Sequence, residues 1–359
     1  MMLSTLSKTT RIIALEGILS AESADELQKI SEDAVQQGIK NIVLDFSPLN
    51  HMNSAGVSTL VKLAVLARRK KMQLYAFGLN KRYQEIFDLT GLNKGIFIFD
   101  ETSDKPGRLP LTDVQQLKEI TAGEGKQDDA GWAPNIKRLR VTKKPQGAMN
   151  KNVDRRRVVG PLQGFGPMWQ KTYSLIVKKP GLQPNDVITT MKQHLPEFQP
   201  SQNIFYPSSQ GITAGEIVLI DSSTPGGIVS TGVLVLYADD LNFTLMTPQG
   251  HPEAGWVTFS ARNQDDTVLI QIQGLARAAD PVYELAFKIA GSKFQETIWK
   301  HVLSSLASYL GVEASVRMEK TCIGADLQWT KASNLWYNAQ IRSLPYNIPL
   351  LFRRRRRPS

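Results

Sequence analysis

A strand that leads directly into a capped amphipathic helix is the feature that most constrains the fold of this chain. The run from Ile42 to Leu44 is apolar, as in a buried strand, and apolar residues recur at helical spacing from Val57 onward. Between them, Asn53 and Ser54 are both good helix N-caps, and Gly56 lets a neighbouring backbone approach the first turn. The turn therefore sets a hydroxyl beside unpaired N–H groups at the positive end of a helix dipole, an environment that suits a phosphate.

The motifs around this turn resemble those of the STAS domains, a family named for sulphate transporters and anti-sigma-factor antagonists. The resemblance covers about residues 8–103 and rests on four motifs that occur in the family order. They are Asp45-Phe46-Ser47, Met52-Asn53-Ser54-Ala55-Gly56-Val57, Arg68-Arg69-Lys70-Lys71 and Leu89-Thr90-Gly91-Leu92. The resemblance implies an α/β sandwich of helices on a mixed sheet, and a non-enzymatic regulator that binds an anti-sigma-factor or kinase-like partner protein.

A phosphoacceptor is also implied by this resemblance. In antagonist members of the family, a partner kinase phosphorylates the serine that corresponds to Ser54. Asn53 stands here in place of the preceding acid, and Ala55 in place of the following serine. We therefore expect Ser54 to be the acceptor, in a signature turn formed with Asn53, Ala55 and Gly56. The alternative is that Ser54 serves only as a helix cap.

The distribution of apolar residues predicts two folded domains. Strands alternate with helices through the first part of the chain, where Ser23 and Glu26 have the spacing of a capping box. This alternation predicts helices on one side of a mixed sheet. The apolar periodicity then fades, although a short helix from Asp113 to Ile120 is compatible with the spacing. The predicted parts are listed by range: a STAS domain at 1–104, a basic flexible linker at 105–157, a second domain at 158–312, and a C-terminal extension with an arginine-rich tail at 313–359.

The second domain is predicted to be α+β. Turn residues separate five apparent strands between 216 and 273. One long helix follows them, with Asp280 as its N-cap and Gly311 as its stop. The order of these elements, with the loop Gly250-His251-Pro252-Glu253-Ala254-Gly255, resembles an uncharacterised START-like helix-grip family over about residues 160–312.

The helix-grip resemblance implies an apolar cavity between sheet and helix that binds a hydrophobic small molecule. His251, Glu253, Trp256 and Arg277 are the candidate pocket or loop residues. His251 and Glu253 could form an acid/base pair, but a loop fixed by Pro252 explains the same motif. The other inward candidates, which are equally compatible with plain core positions, are Phe259, Ile270 and Ile272.

Charge and composition narrow the function further. The formal net charge is +10, and its excess lies in connecting segments and in the tail Arg353 to Arg357. This distribution predicts weak contact with an anionic surface rather than a basic binding face on a fold. The single Cys322 excludes an intramolecular disulfide, and no apolar run is long enough to span a membrane, so we expect a cytoplasmic protein. The four histidines have no metal-ligand spacing, and no metal or cofactor is expected.

Three functions from different classes remain open. The first, which we favour, is a signalling adaptor whose STAS module binds a partner under control of phosphorylation or ligand, beside a domain that senses a hydrophobic ligand. The second is an enzyme of the helix-grip cavity, such as a cyclase or hydrolase, which pocket carboxylates facing His251 would favour. The third is a peripheral membrane or nucleic-acid scaffold that uses the basic segments.

Overall fold

The computed structural model of the protein describes residues 1–99, 109–120, 125–224, 227–313 and 315–345. The chain divides into two compact units, Met1–Gly131 and Trp132–Ser359. In the described residues, no helix has both the length and the apolar character needed to cross a membrane.

The first unit is an α/β domain. Its elements in chain order are β1 (Met2–Thr5), β2 (Thr10–Ala14), β3 (Gly17–Leu19), α1 (Ser23–Gln36), β4 (Asn41–Asp45), β5 (Leu49–Met52), α2 (Ser54–Arg69), β6 (Gln73–Phe77), α3 (Lys81–Thr90), β7 (Phe97–Ile98) and α4 (Leu111–Ile120). The main sheet has the order β1-β2-β4-β6-β7, and β3 pairs with β5 in a separate two-stranded sheet. Only β1 is antiparallel to its neighbour in the main sheet, which is therefore mixed.

Both faces of the main sheet are buried. One face packs Val43 and Tyr75 against Val114 and Leu117 of α4. The neighbouring strand residues, which point to the opposite face, are equally buried; they are Ile13, Ile42, Leu44 and Leu74. The prediction of helices on one side of the sheet is therefore wrong, because α4 covers the second face.

Local sequence explains where the helices begin and end. The side chain of Asn80 accepts a hydrogen bond from the backbone of Tyr83 at 2.8 Å, which caps α3. Gly91 ends α3 in the left-handed conformation, with φ 78°. The predicted capping box at Ser23 is wrong, since the Ser23 hydroxyl donates instead to the carbonyl of Ile18 in β3, at 3.2 Å.

The interval 105–157, predicted to be a flexible linker, contains a helix of the first unit and residues that pack into the second. Helix α4 belongs to the core of the first unit, and its Asp113 carboxylate accepts hydrogen bonds from the hydroxyls of Ser7 and Thr10. In the second unit, Trp132 packs edge-to-face on Tyr237, with ring centroids 5.0 Å apart. Residues 105–108 and 121–124 lie outside the described residues.

The second unit contains an antiparallel sheet domain. Its elements are β8 (Met168–Val177), α5 (Pro184–His194), β9 (Asn203–Tyr206), β10 (Ile217–Thr224), β11 (Gly227–Ala238), β12 (Asn242–Met246), β13 (Glu253–Gln264), β14 (Thr267–Ala278), α6 (Pro281–Ala286), α7 (Ser292–Tyr309) and β15 (Arg317–Gly324). The eight strands have the order β15-β8-β14-β13-β12-β11-β10-β9, and all of their pairings are antiparallel.

Helices α5 and α7 supply the apolar side chains that cover this sheet. Phe243 and Phe259 stack on neighbouring strands, and Trp299 of α7 packs edge-to-face on Phe259 at 5.5 Å. Ile270 and Ile272 belong to the same core. Three of the inward candidates, namely Phe259, Ile270 and Ile272, are thus fully buried core residues.

One prediction for the end of the second domain is wrong. The single long helix from Asp280 to Gly311 is divided into α6 and α7 by a π-helical segment, Phe287–Gly291. In the region predicted to be a C-terminal extension, 313–359, the strand β15 pairs with β8 and forms an edge of the sheet. Apolar and polar residues do not alternate clearly along β15, since most of its side chains are exposed and only backbone pairing defines the strand.

Candidate functional site

The signature turn joins β5 to α2 in the first unit. Asn53 is the N-cap of α2, and its Oδ1 accepts hydrogen bonds from the backbone N–H groups of Ala55 and Gly56, at 3.0 and 3.1 Å. Ser54 is the first residue of the helix. The reading of Ser54 as the helix cap is therefore wrong, because the amide of Asn53 already fills that role.

Gly56 permits a close approach of backbones in this turn. A Cβ at this position would lie 2.2 Å from the carbonyl oxygen of Leu19, at the end of β3. No side chain fits there without movement of the backbone. The expectation that Gly56 allows a close approach is confirmed.

The Ser54 side chain is buried, with only 1% of the residue exposed. The backbone carbonyl of Ser54 accepts a hydrogen bond from the hydroxyl of Ser58, one turn later, at 3.1 Å. A phosphate has to be added at an exposed oxygen. In the conformation described, Ser54 is therefore not available to another protein.

A segment that sequence reasoning missed lies against the strand that enters the turn. The backbone N–H of Asp128 donates to the carbonyl of Asn50 at 2.7 Å, and Nδ1 of His51 lies 3.0 Å from the carbonyl oxygen of Asp128. The hydroxyl of Tyr83 donates to the same oxygen and accepts from the N–H of Met52. Residues 127–129, which we call the strap, thus run beside β5 immediately before the turn.

Gln127 fixes the strap to the first unit. Its Nε2 donates to the carbonyls of Phe46 and Gly78, at 2.7 and 2.8 Å, and its Oε1 accepts from the N–H of Asn80 at 2.9 Å. Arg82 adds an ion pair to Asp129 at 3.0 Å. A polar residue in a segment without apolar periodicity gives no sequence signal for such a role.

A cavity of about 480 Å³ lies in the second unit, under α6 and α7. Its wall is mostly apolar and includes Phe205, Leu245, Trp256, Val282 and Trp299. The predicted pocket residues His251, Glu253 and Trp256 all line it, whereas Arg277 lines an adjoining cavity of about 280 Å³.

His251 and Glu253 contact each other through the backbone. The N–H of Glu253 donates to Nδ1 of His251 at 3.0 Å, and burial lowers the pKa of His251 to about 4. The carboxylate of Glu253 accepts instead from the side-chain amide of Gln295, at 2.6 Å. His251 is therefore neutral at neutral pH, and its Nδ1 is engaged by the backbone of its own loop.

Comparison with known families decides the identity of the first unit. Residues 4–105 match the STAS domain family. This segment is a STAS domain. The match spans the whole β5–α2 turn, and it ends before α4 and the strap.

Two kinds of relative are similar to parts of the chain. The putative anti-sigma factor antagonist BtrV of Bordetella bronchiseptica is 26% identical over 80 residues, which cover 22% of this chain and 69% of BtrV. Among solved structures, the anti-sigma factor antagonist SpoIIAA in its unphosphorylated form shows 16% identity and a TM-score of 0.26, covering 33% of this chain and 96% of SpoIIAA. The di-domain ARO/CYC StfQ from the steffimycin biosynthetic pathway shows 11% identity and a TM-score of 0.32, covering 41% of this chain and 53% of StfQ.

The structure brings the predicted site residues together in two places. Asn53, Ser54, Ala55 and Gly56 are contiguous in the turn of the STAS domain. The candidate pocket residues lie around the cavities of the second unit. The tail Arg353 to Arg357 lies outside the described residues. No cluster of His, Cys, Asp and Glu suited to a metal ion occurs in the part of the chain that the structure describes.

Proposed function

We propose that this protein is a regulator without enzymatic activity, whose STAS domain binds a partner protein through the face that carries the signature turn. The observation that carries the proposal is the turn itself, in which Asn53 caps α2 and Ser54 begins it at the end of β5. The similarity to BtrV favours a partner of the anti-sigma-factor or kinase-like class. We expect such a protein to act in the cytoplasm.

Phosphorylation of Ser54 is the control that we propose for this binding. A phosphoserine adds about −1.5 to −2 of charge at neutral pH, and at the first helical residue it meets the positive end of the α2 dipole. Because Ser54 is buried, a kinase has to act on a locally opened form of the turn. A dianion is not tolerated in an apolar interior, so the modified turn has to keep its phosphate in water. The face offered to the partner would change as a result.

A pull-down with matched serine variants tests this control. The baits are the full-length wild type, Ser54→Ala and Ser58→Ala, each incubated in an extract of cells that naturally express the protein. Mass spectrometry then identifies the bound proteins and the phosphorylated residues together. Ser58 is the matched control, since it is also a buried serine on α2. We expect a phosphate that is absent from Ser54→Ala and present in Ser58→Ala, and a partner that prefers the unmodified protein. Equal phosphorylation of all three baits would remove Ser54 as the switch.

A second candidate function belongs to the second unit. We propose that it is a START-like helix-grip domain that binds a hydrophobic small molecule and adds ligand control to the regulator. The cavity of about 480 Å³ supports this proposal, because ligand pockets usually have about 300–1,000 Å³ and mostly apolar walls.

The two alternative functions have less support. The enzyme alternative needs pocket carboxylates that face His251, and the carboxylate of Glu253 is bonded to Gln295 instead. The scaffold alternative depends on Arg353 to Arg357. Its test is the salt dependence of binding to anionic vesicles or nucleic acid, with and without those five arginines.

A further inference from the structure

The two cavities of the second unit adjoin each other and differ in polarity. The larger one is mostly apolar, whereas the smaller one is lined by several charged and polar side chains, including Lys171, Tyr173 and Arg277. The residues that line both are Glu253, Gly274, Ala276, Phe287, Gln295 and Trp299. A molecule in the larger cavity would therefore have the smaller one as its polar end.

A chain of hydrogen bonds crosses this polar end. Nζ of Lys171 donates to Oε1 of Gln295 at 2.7 Å, and Nε2 of Gln295 donates to Oε2 of Glu253 at 2.6 Å. Lys171 also lies 3.9 Å from the carboxylate of Glu296. The side chains of Lys171 and Glu253 are thus linked to each other through the amide of Gln295.

The hydroxyl of Tyr173 is the exception. Tyr173 is fully buried, and its hydroxyl has no hydrogen-bond partner among the described residues. Leaving a buried hydroxyl unpaired is unfavourable, so such groups in native proteins usually bind a water or a ligand. Tyr173 lies on β8 two residues from Lys171 and therefore points to the same face. Its hydroxyl can therefore donate a hydrogen bond to an acceptor bound in the smaller cavity.

The charges near Tyr173 restrict the kind of acceptor. Burial raises the pKa of Tyr173, and the carboxylates of Glu296 and Glu253 raise it further, so the hydroxyl stays protonated. An anionic ligand oxygen at the same place would meet the same two carboxylates. Burial also lowers the pKa of Lys171 and raises that of Glu253, although each opposes the shift of the other. An uncharged oxygen acceptor fits these surroundings best.

We propose that the cavity binds an uncharged apolar molecule with a carbonyl oxygen, to which the Tyr173 hydroxyl donates a hydrogen bond. This step rests on the ligand-binding function proposed above and specifies the class of ligand. The apolar body would occupy the larger cavity, and the carbonyl group would reach the smaller one past Gly274. A Cβ on Gly274 would meet no atom within 4 Å, so the junction is open.

A fluorescence titration with two related probes tests this assignment on the full-length protein. The first probe is the naphthyl ketone prodan, and the second is dimethylaminonaphthalene, which lacks the carbonyl group. We expect Tyr173→Phe to raise the Kd for prodan about twofold to tenfold, the size of one net hydrogen bond, and to leave the Kd for the second probe unchanged. Tyr309→Phe is the control, because Tyr309 is exposed and bonds His194 at the surface.

Gly274→Leu separates the polar contact from the cavity itself. The added side chain enters open space, so the unit should still fold, and both probes should lose binding. Gly274→Ala, checked by thermal unfolding, replaces it if the leucine variant does not fold, with a smaller loss expected. If Tyr173→Phe affects both probes equally or neither, the assignment of the carbonyl to Tyr173 is wrong while the binding cavity stands. If wild type binds neither probe, the ligand-binding function itself is overturned.

Discussion

At Gly56, the absence of a side chain allows two backbones to meet. The sequence alone suggested this role, because a glycine three residues inside a capped turn is typical of a close approach. What the sequence could not decide was which of Asn53 and Ser54 caps α2, since both residue types cap helices well. The choice depends on whether a side chain reaches the N–H groups of the first turn, and the side chain of Asn53 does. Ser54 is buried by the tertiary packing of the domain, which no local pattern predicts.

We predict that Gly56→Ala destabilises the STAS domain by about 1–3 kcal/mol, the usual cost of overpacking. The new Cβ would lie 2.2 Å from the Leu19 carbonyl oxygen, and the rigid backbone cannot yield easily. Urea unfolding of the full-length protein, followed by a probe of the first unit, measures the change. Gly274→Ala, followed by a probe of the second unit, is the matched control, because its Cβ would enter open space. Equal effects of the two substitutions would contradict the role given to Gly56.

Elements with strong apolar runs and recognisable caps were predictable. The sequence predicted β4 and α2 in the first unit, and Asp280 correctly marked the N-cap of α6 in the second. The edge strands β1 and β15 were missed because their side chains are largely exposed and only backbone pairing holds them. The strap was missed for a related reason: its contacts with β5 are polar, and its partners lie far away in the sequence.

We predict that Gln127→Ala releases the strap. The substitution removes two donated hydrogen bonds and one accepted one, and it leaves the partly buried N–H of Asn80 without the acceptor that it has now. The expected loss of stability is about 1–3 kcal/mol. Hydrogen exchange should become faster for the N–H of Asp128, which now donates to Asn50.

Lys126→Ala provides the control for the strap, because Lys126 is the exposed neighbour of Gln127. It should change neither the stability nor the exchange. Unchanged exchange at Asp128 in Gln127→Ala would mean that the backbone contacts alone hold the strap. Comparing both variants in the pull-down described above would also show whether a released strap increases phosphorylation of Ser54.

At the scale of the whole molecule, the sequence predicted two folded regions but assigned the residues between them to a linker. Apart from the short helix that the spacing from Asp113 to Ile120 suggested, the apolar residues of that interval are few and widely spaced, so no periodicity marks them as structural. Leu109, Val114 and Leu117 nevertheless belong to the core of the first unit, and Leu139 and Val153 are buried in the second. Single apolar anchors separated by polar residues stabilise such segments, and a pattern search over a window does not detect them.

The last prediction concerns the boundary of the first unit. A fragment of residues 1–131 keeps α4 and the strap, whereas a fragment of residues 1–104, the boundary that the sequence suggested, exposes the sheet face formed by Val43 and Tyr75. Burial of one large apolar side chain contributes about 1.5–3 kcal/mol, so the loss of Val114 and Leu117 should cost several kcal/mol.

Urea unfolding of the two fragments measures this difference. We expect 1–131 to unfold cooperatively at a clearly higher midpoint than 1–104. Leu117→Asp within 1–131 is the matched variant, since it keeps the chain length while placing a charge where α4 meets the sheet, and it should resemble the shorter fragment. Equal midpoints for 1–104 and 1–131 would mean that α4 and the strap contribute nothing to the stability of the domain. Residues 109–131 would then act only as a linker, as the sequence suggested.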